Sequence, residues 1–185
     1  RSRRASSRPT SDPSRVEFVA AETASVDEDP LRRMLHQGRP TVILREEAKW
    51  RAHPGGAKII QEARNALEAR MALVPAGSVS INTTLAAHPG SPEVELEVEP
   101  FLLDVHAVTN VRFQKFVDAG GYDALEFWPE EIWPHLIELK DQTGQPAPRY
   151  WRNARHNALL ADHPVVGVSW FEAQAYALWI GQRLP

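Results

Sequence analysis

The stretch HPVVGVSWFEAQAYALWIGQRLP, residues 163–185, decides the fold, because it encodes an extended segment, a helix start and a helix stop in succession. Val165, Val166 and Val168 form a β-branched run behind Pro164 and predict a short buried strand. Ser169 stands three residues before Glu172. That is the spacing of a capping box, in which the serine hydroxyl accepts from the N3 amide and the glutamate reaches back to the cap amide. Ala173, Tyr176, Ala177 and Ile180 then recur at helical spacing and make one apolar face. Gly181 supplies a left-handed stop, so the sequence predicts a helix over residues 170–180.

Further upstream the character is β. Glu93, Glu95, Glu97 and Glu99 alternate with Val94, Leu96 and Val98, which places carboxylates on one face of a strand and apolar side chains on the other. A row of carboxylates invites a metal reading. Residues two apart on a strand stand about 7 Å apart, and a solvated, charge-blunted edge accounts for the row better. Phe101, Leu102, Leu103 and Val105 read as core-directed. Thr109 or Asn110 caps a helix bearing Phe113, Phe116 and Val117, closed by Gly120 and Gly121.

Two segments together resemble a known family. The closing stretch is similar to the signature of the formylglycine-generating enzyme, or sulfatase-modifying factor, family: H-P-V-x-x-V-S-W, then A-x-A-Y, then W-x-G-x-R-L-P. MALVPAGSVSI at residues 71–81 and EVELEVEPFLLDVHAVTNVRFQKFVDAGGY at residues 93–122 resemble that family's opening strands, its Asp and Val-Thr-Asn positions, and its Phe-x-x-Phe-Val helix. The match runs to Pro185, and it resembles the amino-terminal part of the domain only. The fold class expected from the resemblance is α+β, C-type-lectin-like, with the sheet incomplete. The two helices would cover one side of a small twisted sheet.

Composition sets the outer limits. The chain has 185 residues, 43% of them hydrophobic, and a formal net charge of -3, which gives no pull toward nucleic acid or an anionic membrane. No apolar run approaches the roughly 20 residues of a membrane span. There are no cysteines, which excludes disulfides and thiol chemistry within the chain and fits a cytoplasmic setting. Several members of the family carry a cysteine where Ala177 stands, a departure that fits an intracellular or bacterial relative without that disulfide bridge.

Residues 1–30 are rich in Ser, Pro, Arg and Asp, and read as a disordered basic linker. Residues 31–70 read as a helical connector. Leu31, Met34 and Leu35 suggest a first turn interrupted by Pro40, and Ile59, Ile60, Ala63 and Leu67 stripe a longer helix behind the turn His53-Pro54-Gly55-Gly56. Residues 71–185 are the family-like domain. Its connection over residues 122–164 shows little periodicity beyond a turn near residues 130–140, and it carries Trp128, Trp133 and Trp151. These are the candidate binding residues, as the lining of an aromatic groove. The alternative is an ordered loop anchored by its own rings, each able to bury on the order of 200 Å².

No catalytic residue and no metal ligand emerges from the residues themselves. The seven histidines lack the i,i+4 spacing of a zinc helix, Ser169 is engaged in capping and lacks a nucleophile elbow, and no phosphate loop or dinucleotide fingerprint is present. For the complete protein the resemblance implies copper and calcium as cofactors and a sulfatase-like peptide or protein as partner, with oxidation of a cysteine to formylglycine as the activity. It equally admits a non-catalytic binding or regulatory module in a multidomain, for example kinase-linked, protein, and more remotely an iron-dependent sulfoxide synthase of the ergothioneine type. The chain alone is expected to be inactive.

Overall fold

The computed structural model describes residues 29–82 and 93–185; the linker reading of residues 1–30 falls almost wholly outside them. Helices α1 (Pro30–His36), α2 (Pro40–Arg45), α3 (Glu47–Trp50) and α4 (Gly56–Glu68) come first. Strands β1 (Met71–Val74), β2 (Gly77–Asn82), β3 (Glu93–Val98) and β4 (Phe101–Asp104) follow, then helix α5 (Asn110–Asp118), a long loop with short 3-10 turns, and helix α6 (Trp170–Trp179). Helix and strand are mixed along the chain, as an α+β reading requires.

The first helices exist for local reasons. Asp29 caps α1, its carboxylate accepting from the Leu31 amide at 2.9 Å. Pro40 does not simply interrupt: it occupies the first turn of α2, where its missing N–H costs nothing. Leu31, Ile43, Ile59, Ile60 and Ala63 form a small core between these helices.

The strands form two separate antiparallel pairs, β1 with β4 and β2 with β3. In the β2–β3 hairpin the alternation builds the expected two faces, with Val79 opposite Leu96 and Ile81 opposite Val94. Among the described residues neither face is covered, and all of these apolar side chains are exposed. The core-directed reading of Leu102, Leu103 and Val105 also needs correction, since all three are exposed. Among the described residues β4 pairs only with β1, and that pair faces α6 across an open groove.

The main core is aromatic and has no strand residue in it. Phe113 and Phe116 of α5 pack on Tyr176, Trp179 and Ile180 of α6 and on Tyr122, Trp128 and Trp151 of the loop. The Phe113 and Tyr176 rings stack with centroids 5.1 Å apart, and Phe116 meets Trp179 edge-on at 5.6 Å. The two helices thus bury their apolar faces against each other and the loop, rather than against the sheet expected from the sequence.

The strand predicted at Val165 to Val168 is also replaced, by an extended segment with a single bridge from Pro164 to Thr109. Proline cannot donate to a ladder, and Val166 turns to solvent, so pairing stops there. The helix that follows matches its prediction closely. Both halves of the capping box form, Ile180 is the C-cap, and Gly181 adopts φ 78°, the left-handed stop.

Gly121 is required by packing. A Cβ there would fall 2.0 Å from a ring carbon of fully buried Phe116. Gly121→Ala should therefore destabilise the chain by about 1–3 kcal/mol, the usual cost of overpacking. A thermal melt followed by circular dichroism checks it.

Candidate functional site

Glu172 joins helix α6 to the loop. It is 3% exposed, yet both carboxylate oxygens are used. The Ser169 amide donates to Oε2 at 2.6 Å, and the Tyr122 hydroxyl donates to Oε1 at 2.6 Å. Burial, and then the adjacent Glu172 carboxylate, push the Tyr122 phenol far above its ordinary range. The capping glutamate thus doubles as the anchor of the loop's first corner.

The loop's far end is held by Asn110, the first residue of α5. Its amide nitrogen donates to the carbonyls of Leu160 at 2.8 Å and His163 at 3.2 Å, and its oxygen accepts from the Trp151 indole at 3.1 Å. Between the two anchors, Asp141 organises a tight turn. Its Oδ1 accepts from the Thr143 amide and hydroxyl, both at 2.7 Å, and from the Gln145 amide at 3.1 Å; Oδ2 accepts from the Ala154 amide at 2.8 Å. Burial alone would raise this carboxyl's pKa, but the hydrogen bonds from Ala154, Thr143 and Gln145 outweigh it and hold the group below the ordinary carboxylate range.

The candidate tryptophans separate by position. Trp128 is buried in the core and donates to the Gly121 carbonyl at 2.9 Å, and Trp151 is buried in the same cluster against Phe113. Trp133 lies in the 3-10 segment Glu130–Glu138, is 41% exposed, and donates to the Trp128 carbonyl at 3.1 Å. Trp128 and Trp133 are therefore brought together through that bond. Of the three, only the Trp133 ring offers substantial surface to a ligand.

A wide concavity lies elsewhere, between the β1–β4 pair and α6. It has a volume of about 490 Å³, with Met71, Leu102 and Leu103 on one side and Ala173, Tyr176 and Ile180 on the other. Asp104 lies at its edge and receives Arg70 Nε at 3.2 Å and Arg112 Nη2 at 2.9 Å. Arg112 also bonds the Tyr176 hydroxyl, whose pKa burial raises and the two arginines partly restore. Arg70 Nη2 is buried without a partner. An apolar groove with a few convergent polar groups is the usual form of a binding site.

Sequence reasoning missed this cluster because Arg70 lies in the turn before β1, more than 30 residues from Asp104 at the end of β4. It missed Asp141 too, although Asp-Gln-Thr-Gly at residues 141–144 carries the signature of an Asx turn. Among the described residues, no three His, Asp or Glu side chains come together in a group able to hold a metal ion. No helix among the described residues is long and apolar enough to cross a membrane.

Comparison with known proteins gives concordant findings. The family model of the sulfatase-modifying factor enzyme 1-like domain matches residues 56–185. Hercynine oxygenase of Mycobacterium tuberculosis is 37% identical over 102 residues, covering 51% of this chain and 23% of that protein. The serine/threonine-protein kinase pkn1 of Chlamydia caviae is 28% identical over 187 residues, covering 92% of this chain and 28% of the kinase. The formylglycine-generating enzyme of Bos taurus is 30% identical over 137 residues, covering 63% of this chain and 37% of that enzyme. The chain spans about a quarter of the length of the oxygenase and of the kinase.

Two outcomes follow from this geometry. Trp151→Ala should cost about 3–5 kcal/mol of stability, since it empties a core position and strips Asn110 of its donor; urea unfolding measures it. Asp141 has a depressed folded pKa, so its contribution is present above its unfolded value of about 3.9 and is lost as pH falls through the folded value. Stability measured from pH 6 downward should fall less steeply below about pH 4 in Asp141→Asn than in the parent chain.

Proposed function

The chain belongs to the family of the sulfatase-modifying factor enzyme 1-like domain, and on that premise we propose that it is a binding module of this family within a longer, kinase-linked protein. What carries the reading is the extent of one match. Similarity to the chlamydial kinase covers 92% of the chain and so takes in helices that precede residue 71, whereas matches to the oxygenase and the bovine enzyme cover 51% and 63%. On this reading residues 71–185 are the amino-terminal part of a C-type-lectin-like domain and residues 31–70 a helical connector. The groove between β4 and α6 and the exposed Trp133 ring are the surfaces for a polypeptide ligand.

A second reading is favoured by the degree of identity instead. At 37% to hercynine oxygenase and 30% to a formylglycine-generating enzyme, the whole protein would be an oxidoreductase, acting on a sulfatase-like peptide with copper and calcium or as an iron-dependent oxygenase. Its metal ligands would then come from outside the described residues, and this part of the chain would supply the frame that positions them.

One experiment on the whole protein separates the two. After incubation with copper or iron, metal content is measured alongside ATP-dependent phosphorylation of a protein substrate and oxidation of a cysteine-bearing sulfatase peptide. The module reading predicts phosphorylation, substoichiometric metal and no oxidation. One equivalent of metal together with peptide oxidation or oxygenase turnover would replace it with the second reading.

A further inference from the structure

The helices over residues 30–68 have their own hydrophobic core, and it shares no residue with the aromatic core of α5 and α6. Where the two units meet, polar bonds to helix ends hold them, with Val42 set against Gly181. Arg39 Nε donates to the Trp179 carbonyl at 2.7 Å, and its guanidinium lies 5.1 Å from the centre of the Trp179 ring. Arg45 Nη2 donates to the Gly181 carbonyl at 2.9 Å. In the other direction, Lys115 Nζ donates to the His36 carbonyl at the end of α1, at 2.7 Å.

The chemistry of these contacts is that of a helix cap supplied from a distance. The last carbonyls of a helix lack intrahelical partners, and the C-terminal end of its dipole favours a cation. Arg39 provides both at the Trp179 carbonyl and Arg45 holds the Gly181 carbonyl just past the C-cap, each reaching across more than 130 residues of sequence. The arrangement also carries costs. Burial works against the charge on Arg39 and on Lys115, and Thr41 Oγ1, beside Gly181 in this seam, is buried with no partner. A seam of a few directional bonds between two independently packed cores is the kind of boundary along which proteins open below the global unfolding limit.

We propose that residues 30–68 form a latch that opens and closes as one body on the C-terminal end of α6, kept closed by the Arg39 and Arg45 guanidinium groups on the Trp179 and Gly181 carbonyls. Opening uncovers the Trp179 indole face and the end of α6 while α5, α6 and the loop stay packed. The device is independent of what the module binds, and it makes access to the α6 end a property set by two arginines.

Hydrogen exchange on the whole chain, read by mass spectrometry, tests it. In the parent chain the amides of α1, α2 and α4 should exchange through a faster common opening than those of α5 and α6. In the Arg39→Ala/Arg45→Ala variant, exchange over residues 30–68 and at residues 180–182 should rise at least tenfold, with residues 113–117 unchanged. Arg45→Lys, which keeps a cation, should give a smaller rise. The proposal is overturned if exchange rises by one common factor in both units, if it does not change, or if the double variant loses protection in α5 and α6 as well.

Discussion

A buried carboxylate governs this architecture. Glu172 could be taken into the core only because each of its oxygens receives a donor, the Ser169 amide on one side and the Tyr122 hydroxyl on the other. The first bond sets where α6 begins. The second pulls the corner after α5 against that same helix end, so that Gly121 slides beneath Phe116 and Trp128 closes over it. Without the tyrosine, a buried acceptor would be stranded at the centre of the molecule, and the loop would lose the contact that fixes its entry. The geometry of α5, the loop and α6 is set by that pair before any apolar contact is counted.

The same logic operates at the other end of the loop, with different groups. Asn110 satisfies two carbonyls of the returning chain and accepts from Trp151, while Asp141 gathers four donors from the turn between. A long irregular segment has no ladder to consume its backbone groups, so side chains must do so. The aromatic rings supply the buried area, and these polar residues supply the single conformation in which the rings fit. Much of what looks like a reactive inventory in the sequence, carboxylates and indoles in a proline-rich loop, is thereby occupied in holding shape.

Local signals in the sequence were easy to read, and long-range ones were not. The capping box at Ser169 and Glu172, the stop at Gly181 and the stripe on α4 all arise within one or two turns of helix, and the structure has each of them. That Glu172 also holds Tyr122 could not be read, because the partner lies fifty residues away. The strand expected at Val165 failed for a related reason: β-branched residues favour extended backbone, but pairing requires a neighbour, and Pro164 offers no N–H to one. The exposure of Leu102, Leu103 and Val105 shows the same limit, since apolar pattern reveals a face and not whether anything covers it. The motif resemblance over residues 71–185 reached further than periodicity could, and the family model, which matches residues 56–185, bears it out.

The central claim is that the Tyr122–Glu172 contact organises the aromatic core, and a double-mutant cycle with Tyr122→Phe and Glu172→Gln tests it most directly. Glutamine keeps an oxygen for the Ser169 amide at N3 and removes the charge to which Tyr122 donates, so the cycle measures what the charged acceptor adds to the contact with tyrosine. The coupling energy in equilibrium unfolding should be about 1–1.5 kcal/mol, the difference between a hydrogen bond to a charged group and one to a neutral group. Additivity of the two substitutions to within about 0.5 kcal/mol would contradict it.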